Sequence, residues 1–312
     1  MLDPRFSSAS VLLYDPQSSL RHNTRVALLS LGFGTVEAVN DWAEFLERAE
    51  KGNFDLVVGD LISREGSLQT IVRQMRQQEI GKNPFINIIL TLWDTSREHV
   101  YEGIQAGADD ILSRPMSTNQ LADRVHGLVN ARKPFIVTED YVGPERRQIV
   151  RGLSQGSLMI VPNSLKAKVE NKPELDASPE NIELAMTAIK DRRVSIFTEQ
   201  FLRLSSKTVS MGAALKELDD RQALIEKMIS MNEELLRLIQ GTEYIHVETL
   251  CSAFHDVLGR VYKSAKELTE QDKELMFQIP FAIHTACKEV RKSASLAFDI
   301  EEVSTKLRRS AT

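Results

Sequence analysis

The first 134 residues alternate short apolar runs with segments whose apolar residues recur at helical spacing. Near-continuous apolar runs are typical of strands that are buried on both faces of a sheet. The strands are predicted at 11–14, 35–39, 54–59, 86–90 and 111–112, and the helices at 20–31, 41–51, 68–78, 97–106 and 118–131. This alternation predicts an α/β fold, a doubly wound (βα)5 parallel sheet with helices on both faces.

The pattern changes after Pro134. Residues 135–177 are rich in glycine, proline and charge, so we predict a linker there, with one short ordered piece at 158–161. Helical spacing then dominates, and helices are predicted at 179–205, 208–240, 244–268, 270–293 and 298–309. Pro280 is expected to kink or interrupt the fourth of them. The predicted organisation is therefore a domain over 1–134, a linker over 135–177 and an all-α helical bundle domain over 178–312.

Charge and cysteine content narrow the class of protein. The net charge is −5, with 14 basic against 17 acidic residues in 1–134 and 25 against 27 in the rest. Neither part has the basic excess that drives binding to a phosphate backbone, which disfavours DNA as a partner. Two cysteines form no metal or disulfide motif, and no apolar stretch approaches about 18 residues. The sequence thus predicts a cytoplasmic protein without a membrane segment.

Four polar residues follow predicted strands, at the edge where parallel sheets carry their sites. They are Asp15, Asp60, Thr91 and Arg114, after strands one, three, four and five. Such a set can hold a phosphoryl group, because a carboxylate can act as nucleophile, a hydroxyl can donate to phosphoryl oxygen and a cation can balance the charge. A second carboxylate normally helps to hold Mg²⁺ in sites of this kind.

The order and spacing of five sequence blocks resemble the receiver domain of two-component response regulators, over roughly two-fifths of the chain. The blocks are VLLYD at 11–15, FDLVVGD at 54–60, ILT at 89–91, GADD at 107–110 and RP at 114–115. The resemblance implies a flavodoxin-like fold, with Asp60 as phosphoacceptor and Thr91 as switch hydroxyl. It also implies that Asp15 and Asp60 hold Mg²⁺, that Arg114 completes the pocket and that the Arg114–Pro115 bond is cis. The implied partner is a histidine kinase or a phosphotransfer protein.

Three positions depart from that family pattern. Pro16 stands where the family has a second acid, which leaves the Mg²⁺ site without a carboxylate there. Arg114 replaces the family's lysine, and Ile111 replaces its switch aromatic. The guanidinium of Arg114 either senses a phosphoryl group or pairs permanently with Asp60 or Asp15. Phosphorylation of Asp60 and a receiver fold without phosphochemistry are both left open.

The helical part offers contacts rather than catalysis. No phosphate-binding loop, nucleophile elbow or paired acids of the kinds that enzymes use are present, so we expect no enzymatic activity. The helix predicted at 208–240 carries two apolar faces, one of which includes the polar residues Gln222 and Asn232. Such a wide apolar arc is typical of a bundle core, and a homodimer contact is the functional alternative.

His255 raises a third interpretation of this half. It lies four residues before Gly259, as in histidine phosphotransfer helices, but Leu258 takes the place of the basic residue found there. The sequence as a whole predicts a bacterial response regulator whose divergent receiver controls a helical domain that binds a protein partner. A receiver scaffold without phosphorylation, a DNA-binding transcriptional regulator and phosphotransfer through His255 are the alternatives.

Overall fold

A computed structural model describes residues 3–61, 66–145, 158–211, 215–264 and 268–310, with the backbone alone at 215–218 and 293–310. The chain divides into two compact units, Met1–Thr187 and Ala188–Thr312. This division lies within the helix Pro179–Val209 and not near residue 134, where the sequence predicts the first domain to end.

The first unit is built on a parallel five-stranded sheet with the strand order β2-β1-β3-β4-β5. Its strands are β1 Ser10–Tyr14, β2 Thr35–Val39, β3 Leu56–Asp60, β4 Asn87–Leu92 and β5 Asp110–Ser113. The helices between and after them are α1 Ser18–Leu31, α2 Trp42–Lys51, α3 Leu68–Arg76, α4 Arg97–Ala106 and α5 Thr118–Asn130. The doubly wound fold predicted from the apolar pattern is thereby confirmed.

Two apolar clusters cover the two faces of this sheet. Val11 and Leu13 of β1 pack into one cluster together with α1 and α5, whereas Leu12 and Tyr14 pack into the other together with α2 and α3. The alternation follows from the two-residue period of a strand. Because both faces are covered, polar side chains collect at the two edges where strands begin and end.

Residues 135–177, expected to be a linker, contain secondary structure within the described part. The strands β6 Phe135–Val137, β7 Val142–Pro144 and β8 Leu158–Met159 form a second, antiparallel sheet. Helix α6, Ser164–Glu170, follows and buries Leu165 and Val169 in the same cluster as α1 and α5. Lys168 of α6 also pairs with Asp55, whose carboxylate lies 2.8 Å from its ammonium nitrogen. Helix α6 is therefore packed against the core of the first unit.

A buried ion cluster joins that segment to the edge of the sheet where β4 and β5 begin. Asp109 accepts hydrogen bonds from Arg76 at 2.9 Å and from Arg132 at 2.8 Å. Both guanidinium groups lie over the ring of Phe135, about 5 Å from its centroid. Burial lowers the pKa of Arg76 to about 10 against the attraction of Asp109. Burial also acts to raise the pKa of Asp109, but the two arginines outweigh it and hold that pKa below its ordinary value.

The second unit is all α-helical. It comprises most of α7 Pro179–Val209, then α8 Leu215–Ile239, α9 Glu248–Lys263 and α10 Glu270–Ser310. Its core is formed by buried side chains from all four helices, among them Phe201, Ile225, Phe254 and Ile283. Helix α10 replaces the two separate helices expected at 270–293 and 298–309, and Pro280 lies inside it. Among the helices described, none combines the length and the apolar character needed to cross a bilayer.

We expect Asp109→Asn to destabilise the first unit by about 3–5 kcal/mol at neutral pH, because two buried guanidinium groups lose their carboxylate. The stabilisation from ionised Asp109 should be fully present above the pKa of the unfolded chain, about 3.9, and be lost as the pH falls through the lower pKa of the folded chain. Urea unfolding at pH 7 and at pH 3 measures both effects. Asp123→Asn, at an exposed site on α5, is the matched control. An equal stability of wild type and Asp109→Asn at pH 7 would contradict the prediction.

Candidate functional site

The four polar residues singled out from the sequence lie together at the carboxyl edge of the sheet. Asp15 follows β1, Asp60 ends β3, Thr91 is in β4 and Arg114 follows β5. Asp60 and Thr91 are direct neighbours in the parallel ladder between β3 and β4. All four side chains are buried, and none belongs to a residue more than 7% exposed.

Arg114 links two of these residues through its guanidinium group. Its Nη2 donates to Oδ2 of Asp15 at 2.6 Å, and its Nε donates to Oγ1 of Thr91 at 3.0 Å. The hydroxyl of Thr91 in turn donates to the backbone oxygen of Gly59 at 3.3 Å. The hydroxyl of Thr91 therefore donates one hydrogen bond and accepts another within the protein. The Arg114–Pro115 bond is cis, as the resemblance implied.

Asp15 is held from several directions. Its Oδ1 accepts a hydrogen bond from the backbone N–H of Gln17 at 2.8 Å, so both carboxylate oxygens have a donor. Its backbone oxygen accepts a hydrogen bond from Arg21, in the first turns of α1, at 2.8 Å. Sequence reasoning missed Arg21, although its position six residues after Asp15 places it at the start of the helix beside the site. Neighbouring Pro16 is exposed and contributes no polar side chain.

This donor set does not fit a Mg²⁺ centre. Magnesium requires near-octahedral oxygen ligands, usually one or two protein carboxylates together with several waters. Here Oδ2 of Asp15 is occupied by the guanidinium of Arg114, and Pro16 offers no oxygen on its side chain. Within the described ranges, no three histidine, cysteine, aspartate or glutamate side chains are grouped so as to hold a metal ion. The cationic charge beside Asp15 is thus supplied by Arg114.

A cavity of about 200 Å³ opens beside Arg114. Thr24 of α1 and Trp93, just beyond β4, line it together with Pro115 and Met116. Trp93 is 50% exposed, so its indole reports on the surroundings of this edge. Trp93 carries no recognisable sequence signal, because a tryptophan that follows an apolar strand can equally be a surface ring or a core ring.

His255 is not part of this arrangement. It lies on α9 in the second unit and is partly buried. A Cβ added at Gly259, one turn later, would meet no atom of the described residues within 4 Å apart from the backbone of its own helix. The surface beside His255 is therefore open at that position, but none of the four receiver-like residues belongs to the same unit.

Comparison with known proteins matches the first unit to one domain family. The family described as the response regulator receiver domain matches residues 11–126. The two-component response regulator PhoP of Pseudomonas aeruginosa is 26% identical over 232 residues, which cover 74% of this chain and 91% of that protein. The transcriptional regulatory protein TrcR of Mycobacterium tuberculosis is 29% identical over 126 residues, which cover 39% of this chain and 46% of that protein.

A solved structure, the chemotaxis protein CheY4 of Vibrio cholerae, is similar to the same part of the chain. It is 29% identical, and the alignment covers 38% of this chain and 96% of that chain, with a TM-score of 0.35. TrcR is named as a transcriptional regulatory protein. The comparisons therefore do not support the expectation that DNA is an unfavourable partner.

We expect the wild-type chain to show no saturable Mg²⁺ binding, because Arg114 occupies Asp15 and position 16 lacks a carboxylate. Replacing both residues, in Pro16→Asp/Arg114→Lys, should create a Mg²⁺ site, since lysine is a slimmer point charge that leaves carboxylate oxygens accessible. Calorimetric titration with MgCl₂ measures this. CaCl₂ serves as the control cation. Tight Mg²⁺ binding by the wild type would contradict the prediction and would show that Mg²⁺ displaces Arg114 from Asp15.

Proposed function

Because residues 11–126 form a receiver domain of the response regulator family, we propose that this chain acts in two-component signalling through a receiver whose pocket is closed by its own arginine. The receiver serves as a protein-binding module and not as a Mg²⁺-dependent phosphoacceptor. The second unit is its non-enzymatic output and contacts a protein partner.

The hydrogen bond between Arg114 and Asp15, at 2.6 Å, is the observation that carries this proposal. A phosphoryl group on Asp60 would need a free cation and a free hydroxyl to balance and bind its oxygens. Arg114 already neutralises Asp15, and the proton of Thr91 is directed to the backbone oxygen of Gly59. The groups that would respond to phosphate therefore satisfy one another.

Phosphorylation of Asp60 is the second candidate function. Asp60 ends a buried strand directly beside Thr91, as a phosphoacceptor requires. In this version a histidine kinase or phosphotransfer protein supplies the phosphoryl group, and Arg114 must leave Asp15 to meet it. The pairing of Arg114 would then be the resting state of a switch that shifts between two populations.

The output is proposed to be directed at a protein rather than DNA. Residues 135–312 carry 25 basic and 27 acidic residues, so the half that contains the helical unit lacks the basic excess that a phosphate backbone attracts. TrcR, one of the similar proteins, is named as a transcriptional regulatory protein, so DNA binding is the alternative to test. A mobility shift of DNA fragments that weakens steeply with added salt would identify a DNA-directed output instead.

The phosphochemistry is tested by incubating the full chain with Mg²⁺ and acetyl phosphate and measuring the intact mass. We expect no added phosphoryl group on the wild type, and a gain of one on Asp60 in Pro16→Asp/Arg114→Lys, because that variant regains a metal carboxylate and a lysine. Peptide mass spectrometry locates the modification.

Adding Asp60→Asn to the double variant should abolish the gain, and circular dichroism checks that each variant is folded. A phosphoryl group on Asp60 of the wild type would overturn the closed-pocket proposal in favour of the switch. A phosphoryl group on His255 would overturn it in favour of phosphotransfer through α9.

A further inference from the structure

One face of α10 carries two exposed aromatic side chains one helical turn apart. Phe277 is 49% exposed and Phe281 is 63% exposed. The opposite face of the same helix is buried in the core of the second unit, with Met276, Ile283 and Cys287 fully covered. Single exposed apolar side chains are common on protein surfaces, but adjacent aromatic rings on one helical face are typical of a contact surface.

Charged residues of opposite sign flank these rings along the same face. Exposed Glu274 stands seven residues before Phe281, and exposed Lys288 stands seven residues after it. At 1.5 Å per residue, each charge lies about 10.5 Å from Phe281 along the helix axis. Glu270 and Lys292 repeat this order eleven residues to either side. We name Glu270, Glu274, Phe277, Phe281, Lys288 and Lys292 the α10 stripe.

The order of side chains along the α10 stripe is acidic, then aromatic, then basic. It is therefore complementary to the same stripe running in the opposite direction. We propose that it binds the α10 stripe of a second copy of this chain, antiparallel and around a two-fold axis that passes near Phe281. Glu274 of each copy then faces Lys288 of the other, and the two Phe281 rings meet at the axis. A parallel pairing would instead bring Glu274 against Glu274, which is repulsive.

The pair Glu274 and Lys288 supplies the main electrostatic contribution to this contact. Glu270 is already paired with Lys273 of its own helix at 2.7 Å, and Lys292 is paired with Glu289 at 2.8 Å. Glu274 accepts a hydrogen bond from the neutral Gln278 at 2.7 Å, which leaves its charge unbalanced by that contact. The inner charges therefore set the register, and the two phenylalanines provide the apolar centre.

The α8 surface that the sequence analysis considered for dimerisation is used within the unit. Ile225, Leu235 and Ile239 are fully buried in its core, and so is the polar Asn232, whose amide donates to the backbone oxygen of Cys251 at 2.9 Å. Over 219–239, where the side chains of α8 are described, no large apolar side chain is exposed, whereas α10 exposes Phe277 and Phe281. A single helix pair buries less area than standard stable interfaces, so the dimer is expected to be weak and concentration-dependent.

Sedimentation velocity of the full chain over a wide concentration range tests the proposal. The wild type should show a monomer–dimer equilibrium, and Phe281→Ser should raise its Kd at least about tenfold, a change worth roughly 1.4 kcal/mol. Glu274→Lys and Lys288→Glu should each weaken the dimer, because each places like charges in contact twice. The double variant Glu274→Lys/Lys288→Glu should restore the wild-type Kd, since the charges are exchanged across the axis.

Two matched controls should leave the Kd unchanged. Ile245→Ser removes another exposed apolar side chain of the second unit, and Glu233→Lys reverses an exposed charge on α8. Circular dichroism verifies that every variant is folded. A monomer at every concentration would overturn the proposal. A double variant as weak as the two single ones would overturn the antiparallel register.

Discussion

A carboxylate that is taken out of water must be paired with a cation, and this requirement is met at both edges of the central sheet. Transfer of an unpaired carboxylate into a protein interior costs several kcal/mol, which exceeds what most single contacts return. Asp15 is paired with Arg114 at the carboxyl edge, and Asp109 is paired with Arg76 and Arg132 at the opposite edge. Asp55 is paired there with Lys168. Several of these cations lie on segments outside the sheet. The ion pairs hold those segments in place.

At the amino edge of the sheet, where the strands begin, the ion pairs of Asp109 and Asp55 determine which parts of the chain belong to the first unit. Arg132 follows α5, and Lys168 lies on α6, so both are brought to the sheet by residues beyond the last strand. The ring of Phe135 lies under the guanidinium groups of Arg76 and Arg132 and adds an apolar contact to the ionic one. The compact unit consequently extends well past the five strand–helix repeats.

At the carboxyl edge, the same requirement determines the chemistry. A receiver pocket collects carboxylates, and their repulsion must be balanced by an external metal ion or by a cation of the chain. In this chain Pro16 removes a carboxylate, and Arg114 supplies a cation that reaches both Asp15 and Thr91. Loss of the acid and gain of the guanidinium act in the same direction, because each reduces the need for Mg²⁺. The proposed closed pocket rests on these two positions together.

The sequence alone determined the order of the strands and helices in the first unit, since buried strands and amphipathic helices leave a local period in the apolar residues. It predicted β2 at 35–39 and α4 at 97–106 with the observed bounds, and it placed Asp15, Asp60, Thr91 and Arg114 at one edge. The tertiary structure decided which of these side chains bind each other. It showed strands and a core-packed helix in 135–145 and 158–177, where the sequence predicts a linker. It also showed α10 running through Pro280, where buried neighbours such as Met276 and Ile283 outweigh a poor local propensity. Pairs such as Arg76 and Asp109 are 33 residues apart and have no period, so only the folded chain brings them together.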